Sequence, residues 1–435
     1  MRTLFKNIIV AIITLEAQAV VHKYKPKIVA VTGSVGKTST KDAIFAALQK
    51  SEHVRKSQKS FNSEVGIPLT ILGAPNGWNN PLRWLITVLD GLYLILFRAP
   101  YPEWLVLEVG ADRPGDIRSL SRWLRAEVVV ITRLPEVPVH VEFFESAEAV
   151  IEEKASLINA LVPNGTLILF GDDKLTRSLE RRLPETQAKL LTFGFNENND
   201  VRGLGAAALY DAPDSWPVGM TATIAAGDAQ SKLDIRGVLG THAFLPALAA
   251  AAVASALGKN LGEAVDSLRG YEPPPGRMHL MPGIKDTLVI DDTYNASPAA
   301  AEAALEALKL ARRPRHRAIA ALGDMLELGR VSVQEHRKLG IRCAEICDIL
   351  ITVGFRARDI AQGALEGGMD ESAILQFEDS QAAGEALQNL LKAGDAVLVK
   401  GSQSIRMERI VKEIMAEPER AAQLLVRQDE EWKKR

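Results

Sequence analysis

Cysteine is nearly absent. Cys343 and Cys347 are the two in the chain, which excludes a disulfide framework and a four-cysteine zinc ribbon. Four apart, they suit one helix face as small buried side chains in a reducing compartment. Aromatic residues make up 6% and mean hydropathy is +0.02, too low for a polytopic membrane protein. Hydrophobic content of 47% is too high for a disordered chain. Charge of one sign is also lacking. With 52 Lys and Arg against 54 Asp and Glu, the formal net charge is −2. A dedicated nucleic-acid binder should carry a basic excess, so no nucleic-acid partner is expected. Long apolar runs are missing. Leu4–Leu15 contains Lys6 and Trp84–Phe97 contains Asp90, and both fall short of the ~20 residues a spanning helix needs.

What is present is an ordinary globular composition over 435 residues, which at ~150 residues per domain suggests two to four domains. Between Met1 and Ser60 there are eleven Lys and Arg against three Asp and Glu, so this end is locally basic. Ala17-Gln18-Ala19 behind Leu4–Leu15 imitates a secretory signal. Export would separate the chain from ATP, which the phosphate loop described below requires. Phe5, Ile9, Ile12, Ile13, Glu16 and Val20 fall near helical spacing, so residues 1–26 read as a basic amphipathic helix. The expected location is the cytoplasm, at the inner face of the membrane, with 1–22 and 84–97 suited to peripheral contact. Packing inside the protein is the plainer account of the second segment.

From Lys27 onward short β-rich runs alternate with helical ones, the rhythm of α/β units around a mostly parallel sheet. Strands are expected at Lys27–Val31, Trp104–Glu108, Val128–Thr132 and Leu167–Phe170, and helices at Lys37–Lys50, Ala147–Leu161 and His242–Leu257. Val201 to Val238, with a turn at Asp211–Asp214, reads as an antiparallel appendage to that sheet. Glu272-Pro273-Pro274-Pro275-Gly276 cannot continue a helix and marks a linker. Beyond it a second rhythm places strands at Thr287–Asp291, Ala318–Leu322, Ile349–Val353 and Ala396–Val399. Helices are expected between them at Pro298–Leu310, Val333–Cys347 and Gln381–Leu391. The tail from Ala416 to Lys433-Lys434-Arg435 reads as a charged helix. The expected class is therefore α/β, a mostly parallel P-loop sheet domain (27–271, with an apolar insertion at about 77–100) followed across the linker 272–276 by a smaller Rossmann-like α/β domain (277–435).

Thr32-Gly33-Ser34-Val35-Gly36-Lys37-Thr38-Ser39 directly follows a strand and opens a helix. Glycines let the backbone wrap a phosphate, and the helix N-terminus supplies free N–H groups and a positive dipole. Lys37 is placed to reach the β- and γ-phosphates, and Thr38 to offer its hydroxyl to Mg²⁺. Position 31 is Val, so this is the short G-x-x-G-K-T form of the loop. Glu108 ends the strand Trp104–Glu108, and strand C-termini are where open α/β sheets bind ligands, so a carboxylate there can hold a metal. Taken alone, His140 in its Pro-bounded loop reads as incidental and Lys154 on a helix as a solvated charge.

Together, the loop Thr32–Ser39, Glu108, His140 and Lys154 resemble in type and order the Mur ligase family, ATP-dependent amide-forming enzymes of peptidoglycan assembly. Asp291-Asp292-Thr293-Tyr294-Asn295-Ala296-Ser297-Pro298 is similar to a signature of the family's D-alanyl-D-alanine-adding branch. So are Leu322–Gly329 followed by His336, Val399-Lys400-Gly401-Ser402, and Phe61–Pro68. The resemblance spans about Lys27 to Ala416. Two departures stand out: about 26 residues precede the first strand where the family carries a UDP-binding domain, and the H-N-x-x-N segment reads His242-Ala243-Phe244-Leu245-Pro246. Gln403 also replaces an Arg that often follows K-G-S. A lipid-linked muramoyl peptide is one substrate these departures would suit.

The resemblance implies ATP, two Mg²⁺ held by Thr38, Glu108, His140 and Lys154, and CO₂ bound to Lys154 as a carbamate. It implies that a muramoyl-peptide carboxylate is activated as an acyl phosphate and joined to D-Ala-D-Ala or a similar amine. Arg277 would reach the γ-phosphate. Asp292, Tyr294 and Asn295 would meet the nucleotide, while Asn62, Asp324, Glu327, Lys400 and Ser402 would serve the substrates. A monomer is expected. The alternatives are a folylpolyglutamate-synthase-like ligase, a plain P-loop NTPase or kinase, and a non-catalytic ATP-binding scaffold at the membrane.

Overall fold

The computed structural model describes residues 2–429 and 432, apart from 59–60, 78–79, 139, 184–187 and 214; of residues 2–7 it describes the backbone alone. Asp214 of the expected turn, the side chain of Phe5 and the terminal Lys433-Lys434-Arg435 lie outside the described residues.

Nine strands form the first sheet: β1 (Lys27–Thr32), β2 (Val54–Lys56), β3 (Trp104–Glu108), β4 (Ala126–Ile131), β5 (Leu161–Phe170), β6 (Lys189–Gly194), β7 (Val201–Tyr210), β8 (Pro217–Ala226) and β9 (Ala229–Arg236). Their order is β2-β3-β1-β4-β5-β6-β7-β8-β9, parallel as far as β7 and antiparallel from β7 to β9. Strands β1, β3 and β4 are almost wholly buried, because a parallel sheet is covered on both faces and its strands read as continuous apolar runs. Alternate residues serve the two faces. Val29, Val31, Val106 and Val130 join one core; Ile28, Ala30, Leu105, Leu107 and Val129 join the other. The first core packs under α2 (Lys37–Leu48 in chain order after α1, Arg2–Tyr24) and an Ala-rich helix, Leu245–Ala256. Its alanines let that helix lie close against the sheet at little side-chain entropy cost.

The second core is covered by α1 through Ile13, Ala17 and Val20, and by α3 (Gly66–Leu72). Helix α1 stops where Lys25 turns to φ 49° and Pro26 follows. It caps its neighbour α4 (Pro81–Leu96). Lys23 Nζ donates to the carbonyls of Leu94, Ile95 and Phe97 at 2.8, 3.0 and 2.5 Å, satisfying helix-end acceptors that have no intrahelical partner. Packing inside the protein accounts for one side of α4 alone: Thr87 and Gly91 are buried, while Leu82, Leu85, Ile86, Leu89, Leu92, Tyr93 and Leu96 are exposed.

The second sheet contains β10 (His279–Gly283), β11 (Thr287–Asp292), β12 (Ala318–Gly323), β13 (Ile349–Val353), β14 (Ile374–Phe377) and β15 (Ala396–Lys400), in the order β10-β11-β15-β12-β13-β14. The pair β10–β11 is antiparallel and the rest are parallel. Strands β2, β6, β10 and β14 go beyond the sequence expectation; β2, β10 and β14 are short and stand at sheet edges, where half-exposed residues weaken the apolar signal.

Two expectations change in detail. The helix expected at Ala147–Leu161 ends at Ala155, tightens to a 3₁₀ turn over Ser156–Ala160, and hands Leu161 to β5. The tail is not one helix. After short turns at Pro418–Arg420 and Ala421–Leu424 it runs as a strap in which Arg427, at φ 58°, is buried against the second sheet.

Candidate active site

The loop after β1 is bent by two glycines at positive φ, Gly33 at 140° and Gly36 at 85°. At Gly33 a side chain has no room, since an added Cβ would lie 2.0 Å from Thr132 Oγ1. The backbone N–H groups of Ser34 and Val35 donate to the Arg133 carbonyl, and Lys37 Nζ folds back to donate to the Gly33 carbonyl at 2.9 Å. Burial pulls the Lys37 ammonium below its usual range, opposed by the Glu108 carboxylate.

Glu108, 1% exposed, sits at the C-terminal end of β3 beside β1. Its Oε1 accepts from the Thr38 hydroxyl at 3.1 Å and from Asn62 Nδ2 at 3.0 Å. Its Oε2 is buried with no hydrogen-bond partner among the described residues. A buried anionic oxygen left open next to a hydroxyl, at the mouth of a phosphate loop, fits a hard divalent cation that takes oxygen ligands. Among the described residues no cluster of three or more His, Cys, Asp and Glu side chains converges as a ready-made metal cage. Hydroxyl, phosphate and water oxygens beside Glu108 would suit Mg²⁺.

Arg277, just past the prolines, crosses from the second unit to the first. Its Nη2 donates to Thr38 Oγ1 at 3.0 Å, and its guanidinium lies 4.2 Å from the centroid of the Tyr294 ring. Lys37, Thr38, Asn62, Glu108, His140, Arg277, Asp292, Tyr294, Asn295 and Lys400 line one cavity of about 1130 Å³ between the two sheets.

Other residues singled out from the sequence stand elsewhere or are already engaged. His140, at φ 71°, places Nδ1 2.7 Å from Glu327 Oε2 across the cleft, and that imidazole holds the Glu327 carboxyl below its usual range. Lys154 is 1% exposed and outside the cavity lining; burial, helped by the charge of Lys37, lowers it to about 7. Asp292 Oδ2 accepts from Lys400 Nζ at 2.5 Å, and its Oδ1 accepts from the Met278 N–H at 3.1 Å. Lys400 also donates to the Asn295 carbonyl. Asp324 accepts from the Ala357 N–H at 2.7 Å, and Ser402 Oγ accepts from the Leu326 N–H at 2.9 Å, so both brace loops behind the cavity. His336, fully buried, accepts from the Met325 N–H and donates to the Ser332 carbonyl, a loop brace as well.

Several lining residues escaped the sequence reading. Phe170, Asp172, Phe193 and Phe195 form the far wall at the ends of β5 and β6. The rule that ligands gather at strand C-termini would have pointed to them. Tyr271, before the prolines, donates its hydroxyl to the Ser39 carbonyl at 3.2 Å. His242, which the sequence marks as the histidine of the altered H-N-x-x-N segment, lines the same cavity, and burial pushes it down to about 4, so it is neutral near pH 7. Arg427 donates to the Thr293 and Tyr294 carbonyls and pairs with Glu408 at 2.7 Å, fixing the turn that carries Tyr294. Nothing local in the tail signals this.

Two family models match the chain: Mur ligase middle domain over residues 90–254, and Mur ligase, glutamate ligase domain over residues 276–403. The chain is 29% identical over 403 residues to the UDP-N-acetylmuramoyl-tripeptide–D-alanyl-D-alanine ligase of Bacillus subtilis, covering 92% of this chain and 79% of that one. It is 30% identical over 411 residues to the ligase of the same name from Mycobacterium tuberculosis, covering 90% and 73%. Among solved structures it is similar to MurF ligase from Thermotoga maritima in complex with ADP. The TM-score there is 0.75 at 27% identity, over 95% of this chain and 85% of that one.

Proposed function

Because the chain belongs to the Mur ligase family, we propose that it joins D-alanyl-D-alanine to the carboxylate of a muramoyl tripeptide in peptidoglycan precursor synthesis, with ATP as the energy source. It is an ATP-dependent ligase. The observation that carries the reading is the 3.0 Å contact of Arg277 with Thr38, which brings a cation of the second unit onto the phosphate loop of the first.

The reaction needs the substrate carboxylate to attack the γ-phosphorus of ATP, giving an acyl phosphate and ADP. The amine then attacks the acyl carbon, and phosphate leaves from the tetrahedral intermediate. Phosphoryl transfer is mostly a matter of positioning and charge. The loop's N–H groups and Lys37 hold the β- and γ-phosphates, and Lys37 exchanges the Gly33 carbonyl for a phosphate oxygen as it does so. Arg277, braced on the Tyr294 ring, places a fixed guanidinium where equatorial charge builds. Asn62, tied to Glu108, keeps that carboxylate oriented. In this reading Thr38, Glu108, His140 and a carbamylated Lys154 would hold two Mg²⁺, which would supply charge neutralisation to the phosphoryl oxygens. What supports the carbamate is that burial holds the Lys154 amine at about 7, which leaves a nucleophilic neutral fraction at pH 7. Asn295 and Tyr294 face the nucleotide, Lys400 and Glu327 border the amine side, and Asp324 and Ser402 bear on it through the loops they brace. The cleft between the two units, closing over the acyl phosphate, keeps water from it.

The reading extends to domain bounds of 27–271 and 277–435, a monomeric state, and peripheral membrane contact through 1–22 and 84–97. The test is phosphate release with ATP, Mg²⁺, UDP-muramoyl-tripeptide and D-Ala-D-Ala, with product mass read in the same tube. Release that needs both substrates and yields the pentapeptide is the expected result. Turnover that proceeds without the amine would mark a plain NTPase and overturn the reading.

A further inference from the structure

Helix α4 carries an apolar face that none of the described residues covers. At about 100° per residue, Leu82, Leu85, Ile86, Leu89, Tyr93 and Leu96 fall inside one arc of about 100°. They are between 49% and 71% exposed. No charged residue lies within that arc, and the Tyr93 hydroxyl is its one hydrogen-bonding side-chain group. The opposite side, with Thr87 and Gly91, is buried against α1, so the helix is held firmly with its apolar face outward. Ile8 and Leu15 of α1, seven residues apart and 50% and 65% exposed, extend the apolar surface.

The border of this face is cationic. Lys23, Lys25, Arg83 and Arg98 are all exposed around it, against one acid on α4, Asp90. Lys23 is also the residue that caps the C-terminal carbonyls of α4, so one end of the apolar face is pinned next to positive charge.

We propose that the outward face of α4, continued by α1, docks the protein on an anionic lipid bilayer. Aliphatic side chains enter the acyl boundary while the rim of Lys and Arg meets the headgroups. This deepens the peripheral contact proposed above by naming the surface and the lipid class. The choice of a bilayer over a protein partner follows from the chemistry of the arc. A protein interface carries roughly one hydrogen bond per 100–200 Å², and this face has almost nothing to donate or accept, whereas a bilayer asks for none. Contiguous exposed apolar surface with a basic rim is the pattern of interfacial helices. Docking is superficial: α4 has 16 residues, and among the described residues no helix is long and apolar enough to cross a membrane.

The experiment is co-sedimentation of the full chain with vesicles of phosphatidylcholine, alone or mixed with phosphatidylglycerol, at low and high salt. Wild type should pellet with the mixed vesicles, and binding should weaken as salt screens the rim. The double substitution Leu85→Glu with Leu89→Glu should lower binding by about tenfold or more, since it places charge in the acyl boundary. Arg83→Glu with Arg98→Glu should erase the preference for phosphatidylglycerol. Ile86→Ser with Leu96→Ser gives a second, milder pair should the glutamates disturb folding, read by the thermal unfolding midpoint. Wild type left in the supernatant with both vesicles overturns the proposal. Binding by the double-glutamate protein equal to wild type moves the contact off α4. A concentration-dependent dimer in sedimentation equilibrium that the same substitutions abolish assigns the face to a second copy instead. ATP-dependent phosphate release, read without lipid, is independent of these outcomes and tests the ligase reading alone.

Discussion

Glu16 lies at the seam between α1 and α4, 5% exposed, with neither carboxylate oxygen hydrogen-bonded among the described residues. Burial raises it from 4.5 to about 7. The opposing residue is Gly91, where an added Cβ would stand 2.4 Å from Glu16 Oε2. The folded protein therefore holds this proton more tightly than the unfolded chain does. Stability from that difference is complete below pH 4.5 and is lost as pH rises to about 7. At about 1.4 kcal/mol per pH unit the shift corresponds to about 3 kcal/mol, and partial wetting of a seam near the surface brings the expectation to about 1–3 kcal/mol. Glu16→Ala removes the titration, so urea unfolding should show wild type losing ground to the variant across that pH range. Gly91→Ala supplies the second arm. In wild type the methyl meets the carboxyl and should cost about 1 kcal/mol or more. In the Glu16→Ala background the same change should be neutral or favourable, because alanine is the better helix former by about 1 kcal/mol. Parallel stability curves for wild type and Glu16→Ala across this pH range, with additive effects of the two substitutions, would refute the reasoning.

Lys400→Met should destabilise the protein by about 3–5 kcal/mol, since Asp292 is left charged and buried without its partner; adding Asp292→Asn should recover much of that in urea unfolding. Arg277→Lys keeps the charge but loses the fork that reaches Thr38 and the flat face on Tyr294. It should slow phosphate release by about 10²-fold or more with little change in thermal midpoint. Cys343 and Cys347 are buried, and Cys343 is held above the usual thiol range by the Cys347 side chain and by burial. A thiol reagent should therefore ignore both in the native protein and modify them on unfolding; rapid native labelling would count against the burial of these two side chains.

Much of the fold was legible because its signals are local. The apolar runs of β1, β3 and β4, the glycines and Lys37 of the phosphate loop, and the prolines before Arg277 each lie within a few residues of one another. A carboxylate at the end of β3 is likewise a matter of register along one strand, and Glu108 followed from it. The edge strands β2, β10 and β14 were harder to read, since a half-covered strand of three to five residues carries little apolar pattern.

The amino-acid order suffices for the α/β rhythm, the phosphate loop and the strand-end acid, because short-range sterics and hydrophobic periodicity decide them. Partner choice is different. That Asp292 is spoken for by Lys400, that His140 faces Glu327 across the cleft, and that Arg427 holds the Tyr294 turn are contacts over sequence separations of 108, 187 and 133 residues. Which of several like residues meets a given charge depends on how two sheets and a tail strap pack, and no spacing rule encodes that. The two sides of α4 teach the same lesson. Its apolar residues read as core until the packing of α1 against Gly91 leaves the other side in the open. Burial belongs to the assembled layers, and a hydrophobic residue has no way of stating alone whether something will cover it.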